Sequence, residues 1–117
     1  MTNPTTLLAL AERCEQATGP DKELDFTIDG FMLKHGAETD RIRNPRYVLP
    51  YTASLDAAVT LVPEGWIYEL GRGESGTSRS LCRMSDELGI WTGWAVAATA
   101  ALAICAAALR ARAAAYE

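Results

Sequence analysis

The segment with the most specific spacing for ligand chemistry is Gly71–Gly76, GRGESG, which matches the GxGxxG pattern of dinucleotide-binding loops. That chemistry requires a helix directly after the loop, because the N-terminus of the helix binds the pyrophosphate. Here the loop is followed by TSRSLCRM, which is typical of a strand, and the chain near Val96 has no acid to bind a ribose. The pattern therefore favours a flexible glycine hairpin.

Residues suited to catalysis or metal binding are few. His35 is the only histidine, so a hydrolase triad or a cysteine–histidine pair would have to use it. It lies in a predicted loop without a patterned partner, which favours an exposed histidine. Asp21, Glu23 and Asp25 are close together but are interpreted as acids at a helix start. We therefore expect no catalytic residue, no metal and no cofactor, and a protein that is not an enzyme.

Residues 34–50, KHGAETDRIRNPRYVLP, have no helical period and contain two prolines, which predicts a long surface loop. Long ordered loops in small domains are often functional. One interpretation is a contact loop for a partner protein or a phosphate; the alternative is a solvated loop whose local ion pairs contribute little. The candidate contact residues are Glu38, Asp40, Arg41, Arg43, Arg46 and Tyr47.

The balance of charge bounds the class of partner. The chain has 117 residues, 49% of them hydrophobic, and a net charge of −4, which fits one globular domain. Eight acids fall within the first 40 residues and make that region a candidate acidic surface. Three arginines between residues 41 and 50 are a small basic cluster on an acidic protein, so nucleic acid is not the expected partner.

The cysteines and the apolar segments indicate the compartment. Cys14, Cys82 and Cys105 are widely spaced, form no CxxC pair and lie in apolar segments, so we expect three reduced core thiols. The first residues lack the basic region of a signal peptide. The apolar run over residues 94–109 is short for a membrane span and rich in alanine, which favours a buried helix. A cytoplasmic protein without membrane contact is therefore expected.

Hydrophobic periodicity predicts four helices. They cover residues 5–18, 21–33, 54–62 and 98–116. Asp21 and Ser54 are the expected N-caps of the second and third helices. Leu7, Ala11 and Cys14 are expected on the buried stripe of the first helix. The predicted buried face of the third helix consists of Leu55, Ala58, Val59 and Val62.

Between the third and fourth helices the apolar period changes to two, which predicts strands at residues 66–70, 80–84 and 90–96. The linkers GRGESGT and SDELG are short, so an antiparallel meander is expected. A meander cannot bury both of its faces unaided. The predicted fold is therefore α+β: a single domain, residues 1–117, forming a three-layer α/β/α sandwich around a three- to four-stranded antiparallel sheet.

Aromatic residues cluster in this predicted sheet. Trp66, Trp91 and Trp94, with Tyr68, could stack on bases or a ligand. Their alternation instead favours packing on the sheet. Strict alternation also places Trp91 and Trp94 on opposite faces.

Three stretches of the chain resemble a known family. The early segment LLALAERCEQATGPDKELD, the run PYTASLDAAVTLVPEGW at residues 50–66, and the ending ATAALAICAAALRARAA are similar to the phage ABA (α/β/α) sandwich domain family. These are small proteins of phages and prophages, often of alphaproteobacteria. The loop at residues 34–50 has no counterpart, and ATAALAIC replaces a more usual ATPALALC. The resemblance implies a fold and a phage context, with no activity and no functional residues.

These observations lead to two hypotheses of function. The first is a non-enzymatic phage or prophage accessory protein that binds another protein in the host cytoplasm, in a narrower form an inhibitor of a host antiviral defence system similar to an anti-CRISPR protein. The alternative is a protein that binds or sequesters a nucleotide signal through Arg41, Arg43, Arg46 and the Gly71–Gly76 loop. A homo-oligomer is left open.

Overall fold

The computed structural model describes residues 4–34, 48–72 and 79–115, without the side chains of residues 4, 32–34, 92 and 115. Within these ranges the chain forms four helices and one three-stranded antiparallel sheet, so the predicted α+β class is confirmed. The helices are α1 (Pro4–Gln16), α2 (Lys22–Lys34), α3 (Leu55–Val59) and α4 (Ala100–Ala115). The strands are β1 (Ile67–Arg72), β2 (Ser80–Ser85) and β3 (Trp91–Ala97).

The sheet is a meander in the order β1-β2-β3, as the period-two segments predict. Leu70 pairs with Cys82, and Cys82 pairs in turn with Ala95. The turn from β2 to β3 is tight because the Oδ1 atom of Asp86 accepts hydrogen bonds from the backbone N–H groups of Leu88 and Ile90. Gly89 has a φ of 87° there, a conformation that glycine adopts without strain.

Helix α4 is the centre of the core. Its residues Ala101–Leu109 are all buried, as expected of a helix that is apolar on every side. It packs on β2 and β3 at very short range, because alanine and glycine meet at the contact. A Cβ atom added at Gly93 would lie 2.5 Å from the carbonyl oxygen of Ala107. Glycine at this position therefore permits the close approach of helix and sheet.

Helix α1 packs on α4 through the predicted stripe, since Leu7, Ala11 and Cys14 are all fully buried. An ion pair between Arg110 on α4 and Glu15 on α1 joins the two helices at their edge. The α1–α4 pair thus forms the main helical contact of the described chain.

Helix α3 begins as predicted and ends early. The Oγ atom of Ser54 accepts a hydrogen bond from the N–H of Ala57, which confirms the N-cap. The helix stops at Val59, and the following turn changes which side chains face inward. Leu55 is exposed and Leu61 is buried instead, so the predicted buried face was wrong at Leu55. The N–H of Arg112 Nε donates to the carbonyl of Leu61 over 2.8 Å and anchors that turn to α4.

In the described ranges, α4 packs on one face of the sheet, and α1 and α3 pack on α4. This order is compatible with the predicted sandwich. Within residues 4–34, 48–72 and 79–115, however, no helix covers the second face of the sheet, where large apolar side chains are exposed.

Candidate functional site

The second face of the sheet is the surface with the clearest capacity for binding. Alternation along the strands sends Cys82, Met84 and Ala95 toward α4, where each is fully buried. Their neighbours point the other way. We call this surface the open face; its exposed and half-buried side chains are Ile67, Glu69, Leu81, Arg83, Trp91, Trp94 and Val96, and the register also places Gly71 and the buried Ser85 on it.

A β-bulge places both exposed tryptophans on the open face. Met84 pairs with Gly93 but Ser85 pairs with Trp91, so Thr92 is an extra residue opposite the Met84–Ser85 step. The extra residue reverses the alternation, and Trp91 therefore shares a face with Trp94. The expectation that the two tryptophans lie on opposite faces was wrong, because strict alternation assumes a ladder without a bulge.

Arg83 lies at the centre of the open face and organises its neighbours. It is directly opposite Trp94 on β3, and its guanidinium carbon lies 4.5 Å from the centre of the Trp91 ring. Its Nε and Nη2 atoms each lie 2.8 Å from Oε1 of Glu69 on β1. An exposed ion pair adds at most about 1 kcal/mol of stability, and an exposed cation–π contact about 0.5–1 kcal/mol. The main effect is to hold Arg83 and Trp91 in one orientation.

The open face is apolar for an uncovered surface. Trp94 is 59% exposed, Ile67 is 58% exposed and Trp91 is 43% exposed. Tryptophan and arginine are the residue types that most often dominate the binding energy of protein interfaces. Its one acid and one base, Glu69 and Arg83, already pair with each other. The surface is therefore suited to binding a partner with apolar side chains.

A second cluster, of buried polar side chains, has the residue types of a catalytic site but the contacts of a structural one. Oδ1 of Asp25 accepts hydrogen bonds of 2.8 Å from both the backbone N–H and the hydroxyl of Thr52. The hydroxyl of Tyr51 donates to Asp29 over 3.0 Å. The Oγ1 atom of Thr52 accepts from the N–H of Asp21. These bonds connect the segment before α3 to the first turns of α2.

The buried cluster reduces the candidate acidic surface of the first 40 residues. Asp21 caps α2 as predicted, because its Oδ1 accepts from the N–H groups of Glu23 and Leu24. Asp25 lies in the first turn of α2 as predicted, but it is buried and bonded to Thr52, which the sequence did not indicate. Asp29 is buried as well. The candidate acidic surface of the first 40 residues thus loses two of its eight acids to the interior.

The three cysteines are fully buried, which confirms that part of the prediction. Burial raises the pKa of the Cys82 thiol to about 12. A hydrogen bond with Cys14, with burial as the second cause, raises the pKa of Cys105. The Cys105 thiol also donates to the carbonyl of Tyr51 over 3.2 Å. Buried, inaccessible thiols of this kind are packing groups and poor nucleophiles.

Most residues of the predicted contact loop lie outside the described chain. Residues 35–47 include His35 and the candidates Glu38, Asp40, Arg41, Arg43, Arg46 and Tyr47, so their roles stay predictions. Gly71 and Arg72 belong to β1, and after the undescribed residues 73–78 the chain enters β2. The described segment after the glycine loop is thus a strand, as the sequence indicates.

Metal-binding groups and membrane-spanning helices are both lacking in the described part of the chain. Among those residues, no group of three or more His, Cys, Asp or Glu side chains is arranged to hold a metal ion. None of the described helices is long and apolar enough to cross a membrane.

Comparisons with known proteins add no relative. No protein-family model, no curated protein and no solved structure matches this chain.

Proposed function

We propose that this protein acts by binding another protein through its open face. The observation that carries the proposal is the exposed group of Trp91, Arg83 and Trp94 beside Ile67 on an otherwise well-packed sheet. Monomeric proteins rarely leave such apolar groups together in water without a binding role. Arg83 pre-orients Trp91, so the Trp91 side chain loses less conformational entropy when a partner binds.

The partner we propose is a protein with an apolar patch. The open face offers aromatic and aliphatic area, and its single cation, Arg83, is already paired with Glu69. A nucleic-acid surface would instead need several free cations on one face. The net charge of −4 also opposes binding to phosphate backbones.

The biological context that we propose is a phage or prophage, and the place of action is the host cytoplasm. This part rests on the resemblance of the TGPDKELD, YTASLDAA and ALRARAA segments to phage ABA sandwich proteins. A narrower proposal is an inhibitor of a host antiviral defence system, which would act by covering a functional surface of its target. We also propose that the protein acts without a cofactor.

The test is capture of host proteins on the purified chain, compared across two matched variants. Trp94→Ala removes the most exposed apolar side chain of the open face, and Leu8→Ala truncates an exposed apolar side chain on α1. If the open face binds, a captured protein should bind Trp94→Ala about 30-fold less tightly, because loss of an interface tryptophan commonly costs about 2 kcal/mol or more. Leu8→Ala should bind like the wild type.

Two results would count against this proposal. One is a partner that binds both variants equally, which would place the interface elsewhere. The other is micromolar binding of a nucleotide by calorimetry, lost when Arg41, Arg43 and Arg46 are replaced together by alanine. That outcome would favour a protein that sequesters a nucleotide signal.

A further inference from the structure

Strand β1 is an unprotected edge of the sheet. In the order β1-β2-β3 it pairs only with β2, and all six of its residues, Ile67–Arg72, are exposed. Within the described ranges, no strand or helix covers its outer backbone groups. An edge of this kind can pair with a further strand.

The opposite edge of the sheet is protected in several ways. Strand β3 contains the bulge at Thr92, and bulges disrupt the regular ladder that a new strand would need. It also packs beside α1. Arg79 donates hydrogen bonds to the carbonyls of Val96 on β3 and of Glu15 on α1, which ties these two elements together. A new strand is therefore expected at β1 alone.

We infer that β1 pairs in antiparallel fashion with β1 of a second copy of this chain, with Leu70 on the two-fold axis, to form a continuous six-stranded sheet. In such a dimer Leu70 faces Leu70 of the other copy. Glu69 faces Gly71, and Tyr68 faces Arg72. This inference is independent of the proposed function, because it uses the edge of the sheet and leaves the open face free.

Geometry leaves two registers that pair five of the six residues. Residues directly opposite each other in an antiparallel pair have their side chains on the same face of the sheet. In a symmetric pair of β1 strands, one residue must therefore lie opposite the same residue of the second copy, and the two-fold axis passes between these two residues. Axes at Glu69 or at Leu70 each pair five residues. Axes at Tyr68 or Gly71 pair only three within β1.

Charge selects between these two registers. An axis at Glu69 places two carboxylates directly opposite each other, which destabilises a strand pair. An axis at Leu70 places two apolar side chains together and aligns each Tyr68 ring with an Arg72 guanidinium, a favourable cation–π arrangement. Glu69 then faces a glycine, with its own ion pair to Arg83 intact. Leu70 is therefore the position through which the axis passes.

The predicted interface is small. Five paired residues on each side bury less surface than the roughly 1,200–2,000 Å² of a stable interface. We therefore expect a monomer–dimer equilibrium that shifts with protein concentration. Sedimentation equilibrium of the unmodified chain should show a mass that rises from 12.6 kDa toward twice that value as the concentration increases.

The register is tested by disulfide trapping with two neighbouring variants, Leu70→Cys and Glu69→Cys. Both are made together with Cys82→Ala, because Cys82 pairs directly with Leu70 within one chain. Across the predicted axis the Cα atoms of position 70 in the two copies lie about 5 Å apart, within the range of a disulfide. The Cα atoms of position 69 in the two copies lie about 8 Å apart, beyond the roughly 7 Å limit. Cys14 and Cys105 are fully buried and do not compete.

We expect oxidised glutathione to convert most of the Leu70→Cys variant to a covalent dimer, and the Glu69→Cys variant to remain a monomer. Each trapped dimer forms by thiol–disulfide exchange, in which two thiols lose two electrons to the glutathione disulfide. Cross-linking of the Glu69→Cys variant alone would overturn the register. A constant monomer mass at every concentration, or a dimer that neither variant traps, would overturn the inference, whereas Trp94→Ala should leave dimerisation unchanged.

Discussion

At the scale of single residues, burial separates the side chains that can meet a partner from those that only pack. Trp94 and Arg83 are on the open face, while Cys14, Cys82 and Cys105 have no exposed surface. The sequence predicted the burial of the cysteines, since each lies in an apolar periodic segment. It could not predict the exposure of Trp91, because that depends on the bulge at Thr92.

The cysteines give a prediction at this scale. A thiol reagent should modify none of them in the native protein at about pH 8 and all three after denaturation, because the reactive species is the thiolate. Burial suppresses the thiolate of Cys82 by raising its pKa to about 12. A hydrogen bond with Cys14 likewise raises the pKa of Cys105. Mass spectrometry after timed labelling measures this. Rapid native labelling of any of the three thiols would contradict it.

At the scale of elements, hydrogen bonds join segments that lie far apart in the sequence. Asp25 of the KELD segment bonds to Thr52 of the YTAS segment, and Arg112 of the last segment bonds to the carbonyl of Leu61. Burial of Arg112 also lowers the pKa of its guanidinium, so its hydrogen bond is needed to compensate the lost hydration. These polar residues hold the helices in position, so their hydrogen bonds have a structural explanation and do not require a catalytic role.

The Asp25–Thr52 contact is tested by Thr52→Val, which keeps the shape of the side chain and removes the hydroxyl. We expect the free energy of unfolding to fall by about 1–3 kcal/mol, because the buried Asp25 carboxylate loses a hydrogen bond of 2.8 Å. Urea denaturation measures the change. The matched control is Thr27→Val on the exposed side of α2, where the hydroxyl bonds to the carbonyl of Glu23. That variant should change stability by less than about 0.5 kcal/mol, and equal losses in both would refute the structural role.

The close packing of α4 on the sheet gives a second prediction for elements. Gly93→Ala should lower the free energy of unfolding by about 1–3 kcal/mol, because the new methyl group overlaps the Ala107 carbonyl and approaches the Ala111 Cβ atom at 3.0 Å. Gly71→Ala on β1 is the control, since nothing lies within 4 Å of a Cβ atom there. Thermal unfolding followed by circular dichroism compares the two. A Gly93→Ala variant as stable as Gly71→Ala would show that helix and sheet are further apart.

Sequence periodicity predicted the elements more reliably than their ends and faces. The strands and α4 were predicted because their apolar periods are long and regular. Helix α3 was predicted too long, since the apolar residues Leu61 and Val62 continue past its end in a turn. The burial of Asp25 was not predicted, because its partner, Thr52, lies 27 residues away in the sequence. Contacts of that separation have no local pattern from which they can be predicted.

At the scale of the whole molecule, the two sides of the sheet have different tasks. Helix α4 buries the small residues of one side, and this supplies the core. The other side keeps its large apolar residues in water, in the described ranges of the chain. No helix of the described ranges covers the open face as the predicted second helical layer would, and we propose that a partner protein covers it.

Site-specific photocross-linking tests binding through the open face most directly. A photoreactive phenylalanine analogue replaces Trp94, which is 59% exposed, and in a matched variant it replaces Phe26 on α2, which is 49% exposed. In host extract, irradiation should link the position-94 variant to another protein, identified by mass spectrometry, and leave the position-26 variant largely unlinked. An equal pattern of adducts from both positions, or adducts from position 26 alone, would contradict binding through the open face.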